Sequence, residues 1–311
     1  MTDKYTISRA TNCAMPQDVV VLLENALSTN TRRAYQADIA SFITWGGSVP
    51  STPEEISSYI AASTHHLRIP TIRRHLSALS FAHETLELSE NPVRHAMVRT
   101  AMKGAARLHG TPQRGVEPLL LADLRRIIEN TGSSAIDIRN KALLALGFAG
   151  GFRRSELVGL NCEDIVEKPE GLIVTIRKSK TDQEGKGRLV GIPYGRGRIC
   201  PVTLTLLWFA NIKDQQGPLF RPVRKGGLVG DQRLSGEAVA RVIKQRVRTL
   251  GFDPTNYSAH SLRAGFVTSA IQAGAPSQFV RKQTGHASEA TMARYVRLGS
   301  LFTENAVSWM M

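Results

Sequence analysis

The sequence predicts a mostly helical protein in two parts, with a small antiparallel sheet confined to the second. Three observations carry that prediction. Apolar residues in the first third recur at helical spacing. The stretch RLHGTPQRGVEP, residues 107–118, holds two glycines, two prolines and no apolar period, which reads as a linker. Beyond it, GLIVTIRKSK and GRLVGIP read as two strands joined by the polar turn TDQEGKG. The expected division is a helical domain over 1–108, a linker over 109–118 and an α+β domain over 119–311.

The elements follow in order. TRRAYQADIASFITW places Tyr35, Ile39, Phe42 and Ile43 on one helix face. STPEEISSYI has Thr52, Pro53 and Glu55, a capping-box start with proline in the first turn. TIRRHLSALSFAHETL repeats the period with Ile72, Leu76 and Leu79. Its other face carries Arg73 and Arg74, a pair that reads equally as a solvated face or as phosphate contacts. In the second part, DIRNKALLALGFAGG reads as a buried helix ended by glycines. After the hairpin come four helical stretches: PVTLTLLWFANI, SGEAVARVIKQRVRTL, HSLRAGFVTSAIQAG and PSQFVRKQT.

Composition narrows the function. The chain has 311 residues, enough for two domains with real cores. Its formal net charge is +14 and its pI about 10.1. Such a field attracts polyanions, nucleic acid first and an anionic membrane surface second. Residues 1–110 carry 11 Lys+Arg against 9 Asp+Glu, and residues 111–311 the remaining 29 against 17. The anion-seeking surface therefore belongs mostly to the second part. Cys13, Cys162 and Cys200 are odd in number and widely spaced, which suggests neither a zinc site nor a disulfide framework and fits a reduced cytoplasm. The longest nearly apolar run, residues 142–152, is too short to span a bilayer.

A set of polar residues then stands out. Arg153 follows a Gly-Gly break in GFRRSEL. Lys180 sits at the expected hairpin tip in IRKSKTDQ. His260 and Arg263 are three apart in HSLR. His286 ends the TGH triplet, and Tyr295 comes nine residues later. Each alone has an ordinary reading as a salt bridge, a solvated lysine or a packing tyrosine. Together they suit attack of a tyrosine on a phosphodiester. Guanidiniums clamp the non-bridging oxygens. Imidazoles move protons and a lysine protonates the leaving oxygen. Tyrosine, with an ordinary pKa of about 10, needs cationic neighbours or a base to act as nucleophile.

This ordered set resembles the tyrosine recombinase (phage integrase) family, in its simple two-domain Cre/Xer-like form. GFRRSEL resembles the first arginine box, KSKT the hairpin lysine, HSLRAG the His-x-x-Arg box, and TGH with the later tyrosine the last box. The helical first part resembles the family's core-binding domain. His286 stands where some members have tryptophan, and Phe152 where leucine is more usual. The resemblance implies a catalytic set of Arg153, Lys180, His260, Arg263, His286 and Tyr295. Tyr295 would form a 3′-phosphotyrosyl link, and Arg153 and Arg263 would bind the phosphate. Lys180 would be the general acid, His260 the base and His286 a hydrogen-bond donor to the phosphate. Glu156 would orient the first box. Arg73, Arg74, Arg154 and Lys178 are further candidates for DNA contact. No metal, cofactor or ATP is expected, because one phosphodiester is exchanged for another.

The expected partner is double-stranded DNA with inverted-repeat arms, bound by a dimer per site and a tetramer per synapse, with room for accessory proteins and no membrane. About thirty residues precede the first strong helix, too few for an added arm-binding domain. The tail after Tyr295 is expected to dock on a neighbouring protomer. A type IB topoisomerase shares the chemistry without synapsis. A binding module that has lost catalysis would not keep every catalytic residue. A basic membrane-surface or RNA-binding protein explains the charge and not the set.

Overall fold

The computed structural model describes residues 27–86, 90–110, 115–177, 187–195 and 197–286. Lys178, Lys180, Tyr295 and the tail lie outside the described residues. The chain divides into two compact units, Met1–Arg114 and Gly115–Met311.

The first unit holds four α-helices among its described residues: α1 (Thr29–Trp45), α2 (Pro53–Ser63), α3 (Ile69–Thr85) and α4 (Ala96–His109). Ser28 caps α1 by accepting the Thr31 N–H, and Thr52 caps α2 by accepting that of Glu55. The expected box at α2 is only half made: the Glu55 carboxylate turns to the Ser48 N–H at 3.0 Å instead. Ile39, Phe42, Ile56, Ile60, Ile72 and Leu79 form the core. A buried polar chain pins three helices through it. Arg74 donates two bonds of 2.8 Å to Asp38. His75 reaches the same carboxylate through Nε2 at 3.1 Å and meets the Tyr59 hydroxyl through Nδ1 at 2.6 Å. Burial lowers the His75 pKa, so the ring is a neutral member of this chain.

The second unit is built on α6 (Ala135–Ala149), which follows α5 (Leu121–Glu129). Leu143, Leu144, Ala145 and Leu146 are all buried, so α6 is covered on every side. It packs on α8 (Pro201–Phe209), where buried Trp208 donates its indole N–H to the Leu219 carbonyl at 2.7 Å. The sheet has three antiparallel strands in the order β1 (Ile165–Lys168), β2 (Gly171–Ile176), β3 (Arg188–Pro193). β2 and β3 are the expected hairpin strands; β1 is a third, short strand. Leu172, Val174 and Ile176 face the core together with Val190 and Ile192, at the strand period of two.

The remaining helices are α7 (Arg154–Gly159), α9 (Gly236–Arg248), α10 (His260–Gln272) and α11 (Ser277–Thr284). The segment entering this unit lies tight along α10: the Leu119 N–H donates to the Ser261 carbonyl at 3.0 Å. A Cβ at Gly265 would overlap the Leu119 carbonyl, so glycine there is a condition of the approach.

Candidate active site

The site is assembled at the C-terminal end of α11. That end leaves main-chain carbonyls without helical partners and carries partial negative charge. Three successive carbonyls are each taken by a different arginine. Arg188, from β3, donates through Nη1 to Gln283 O at 2.7 Å. Arg263, from α10, donates through Nη1 to Thr284 O at 2.7 Å and to Gly151 O at 2.8 Å. Arg153, just before α7, donates through Nη2 to Gly285 O at 3.2 Å. Gly285 closes the helix with a left-handed φ of 65°, which exposes this carbonyl row. A Cβ on it would press into the Arg188 side chain.

Glu156 holds the array from the other side. Its Oε2 accepts the Arg153 main-chain N–H at 2.9 Å and its Oε1 accepts Arg153 Nη1 at 2.7 Å. Oε2 also accepts Arg188 Nη2 at 3.1 Å. Its side chain is fully buried, whereas those of Arg153 and Arg188 keep about a fifth of their surface exposed. One buried carboxylate therefore fixes two guanidiniums while leaving part of each open to an anion. Gln283 ties the turn to the sheet and to α6, donating to Gly191 O and Ala149 O, each at 3.1 Å.

His286 follows the turn. Its Nδ1 stands 2.7 Å from the buried Thr284 hydroxyl. Burial, and then the charges of Arg263, Arg153, His260 and Arg188, push its pKa down to about 3. The same fields identify the groups that surround it. The structure thus brings together Arg153, Arg263, His286, His260 and Glu156 from three separate stretches of sequence. Arg263 is buried and His260 is exposed on the first turn of α10. Arg188 is the member that sequence reasoning missed. Its only signal was a charge at the start of a strand beside a glycine.

The other candidates divide. Arg154 is exposed, its stem lying over Gly236 at the start of α9. Arg74 is engaged by Asp38. Arg73 lines a cavity of about 510 Å³ between α3 and α4. Arg99, Lys103 and Arg107 line it too, over a floor that includes Leu76, Val98 and Met102. Among the described residues, no acid lines that groove. Its spacing was legible: Arg99, Lys103 and Arg107 recur every fourth residue along α4.

The model of the phage integrase family matches residues 118–300. The chain belongs to the phage integrase family. It is 36% identical over 297 residues to an integrase/recombinase xerD homolog of Selenomonas ruminantium, covering 93% of this chain and 87% of that one. Among solved structures, the XerH site-specific recombinase bound to palindromic difH substrate shares its fold, with TM-score 0.64 and 17% identity over 99% of this chain and 93% of that one. A lambda integrase tetramer bound to a Holliday junction gives TM-score 0.61 at 15% identity, covering 88% of this chain and 74% of that one. As a tyrosine recombinase, this integrase is a DNA-cleaving and rejoining enzyme. No helix among its described residues is long and apolar enough to cross a membrane.

Proposed function

We propose that this integrase recombines duplex DNA at specific short sites with inverted-repeat arms, through attack of Tyr295 on the scissile phosphate. The observation that carries the reading is the convergence of Arg153, Arg263 and His286 on the turn at Gly285. Two guanidiniums with fixed planes provide the oxyanion clamp that a pentavalent phosphorus needs. They are held by main-chain carbonyls and one carboxylate before any substrate arrives, so little reorganisation is left for the reaction. Tyr295 takes the phosphoryl group as a 3′-phosphotyrosyl ester and a 5′-hydroxyl leaves. Lys180 supplies the proton to that oxygen and His260 accepts the one from Tyr295. Attack by the 5′-hydroxyl of a partner strand reverses the chemistry, so the bond energy is conserved without ATP or metal.

The helical domain over 1–108 and the catalytic domain over 119–311 both grip the duplex, joined by the linker over 109–118. The basic groove of Arg73, Arg99, Lys103 and Arg107 contacts phosphates, and Arg154 and Lys178 add contacts from the catalytic domain. Assembly is a dimer per site and a tetramer per synapse, in the cytoplasm. The DNA-bound dimers and tetramers among structural neighbours support that order of assembly.

The test uses fragmented DNA from the source organism. Wild type and Tyr295→Phe are incubated with it in EDTA, and protease-sensitive protein–DNA adducts are isolated and their 3′ ends sequenced. Adducts with wild type alone, clustered at one inverted-repeat site, are expected. Scattered adducts with relaxation of supercoils would indicate a topoisomerase, and adducts that survive Tyr295→Phe would remove the nucleophile.

A further inference from the structure

Thr284 has one hydroxyl hydrogen and three close neighbours. Its Oγ1 lies 2.7 Å from the Val280 carbonyl, 3.4 Å from the Arg281 carbonyl and 2.7 Å from His286 Nδ1. A carbonyl oxygen only accepts. A hydroxyl oxygen 2.7 Å from one must point its hydrogen there, since two lone pairs at that distance repel. The hydroxyl is therefore committed as a donor to the main chain of α11. Toward His286 it can only accept, so Nδ1 carries a hydrogen. Thr284 is fully buried, and no water competes for this bond.

The ring is neutral in the resting site. The titratable and charged groups facing it among the described residues are Arg153 from the turn before α7, Arg188 from β3, and His260 and Arg263 from α10. All favour the uncharged form. A neutral imidazole with its hydrogen on Nδ1 has none on Nε2, which accepts and does not donate.

We propose that Thr284 sets the tautomer of His286, so that the nitrogen offered to the scissile phosphate is a proton acceptor at rest and becomes a donor only when the bound oxyanion draws one proton onto it. The inference rests on the proposed role of His286 as a phosphate donor and adds to it a proton taken up from solvent. The balance is simple: a hydronium ion or buffer acid gives up one proton, leaving water or the buffer base, Nε2 forms one N–H bond, and the imidazolium's new charge is matched by the anion. Thr284 is thus a positioning residue that couples oxyanion binding to pH. The arrangement keeps one positive charge away from Arg153, Arg188 and Arg263, which already repel one another.

The experiment uses full-length protein labelled with 15N-histidine, with His286 assigned through His286→Asn. Long-range proton–nitrogen correlation near neutral pH reads which ring nitrogen carries hydrogen. The expected pattern is a protonated Nδ1 and no hydrogen on Nε2. Thr284→Ser should keep it, and Thr284→Val should shift the population toward the Nε2–H form. Sulfate is the probe for the oxyanion, since it does not itself titrate in this range. It should favour a ring protonated on both nitrogens, and its affinity should fall as pH rises, by at most about tenfold per pH unit for one proton taken up. A hydrogen on Nε2 in the free wild-type protein would overturn the proposal, as would a sulfate affinity independent of pH. A protein that shows the tautomer and the sulfate linkage yet cuts no DNA would instead refute the proposed function.

Discussion

Arg153 and Glu156 are joined twice, main chain to carboxylate at 2.9 Å and guanidinium to carboxylate at 2.7 Å. The pairing turns a residue at a helix start into a fixed part of the site. Glu156 is buried and also binds Arg188, so each of its oxygens takes a guanidinium, and Oε2 the Arg153 main-chain N–H as well. Glu156→Gln replaces an oxygen acceptor with a donor that faces a guanidinium. The expected loss of stability is about 1–3 kcal/mol. Glu156→Ala leaves two arginines facing each other and costs about 3–5 kcal/mol. Urea unfolding midpoints of the two variants check the order.

Arg188 should matter for rate as well as for stability. It joins β3 to the turn that carries His286. Arg188→Lys keeps the charge and can make only one of the two bonds in their fixed plane. Cleavage of a mapped site is expected to slow by about 10²-fold, the scale of losing one oxyanion partner. DNA affinity, measured by fluorescence anisotropy, should change little.

In the first unit, two neighbouring arginines should behave differently. Arg74 binds Asp38 with both nitrogens of its fork, so Arg74→Ala should lower stability by about 1–2 kcal/mol. Arg73, Arg99, Lys103 and Arg107 line the groove. Removing any one should weaken binding alike on all sequences and reduce the slope of log affinity against log salt by about one. Salt titrations of each alanine variant separate the two behaviours.

His286 gives a pH signature of its own. An imidazole in the unfolded chain gains its proton near pH 6.5, roughly the free value. In the folded chain burial and the surrounding cations delay that gain to about 3. Below about pH 6.5 the unfolded state therefore binds the extra proton, and stability falls with pH until the folded value is reached. Above it the contribution is complete. His75 is shifted in the same direction by burial, so it adds to the trend. Thermal melts of wild type and His286→Gln should diverge as pH falls from neutrality, with the variant losing stability less steeply.

Local physics explains what could be read in advance. Ser28 and Thr52 mark helix starts because their hydroxyls answer main-chain N–H groups a few residues away. The period of Ile72, Leu76 and Leu79 marks a core face for the same local reason. β1 escaped notice because it is four residues long and leaves Val166 exposed, so no alternation shows. Arg74 reads as half of a basic pair because its partner, Asp38, is 36 residues away. Arg188 looks like a solvated strand end because Glu156 reaches it only after the fold closes, and the carbonyl row that gathers the three arginines is main chain, which no side-chain motif announces. Of the expected catalytic set, Lys180 and Tyr295 lie outside the described residues.

The proposed function requires the cluster at the Gly285 turn to stabilise a reacting phosphate. Single-turnover cleavage of the mapped site by Arg153→Lys, at protein concentrations that saturate the DNA, tests it most directly. Lysine keeps the positive charge and loses the planar fork. Binding close to wild type, a near-native melting curve and adduct formation slowed by about 10²-fold or more are expected. Wild-type adduct rates in a folded, DNA-bound Arg153→Lys protein would contradict that requirement.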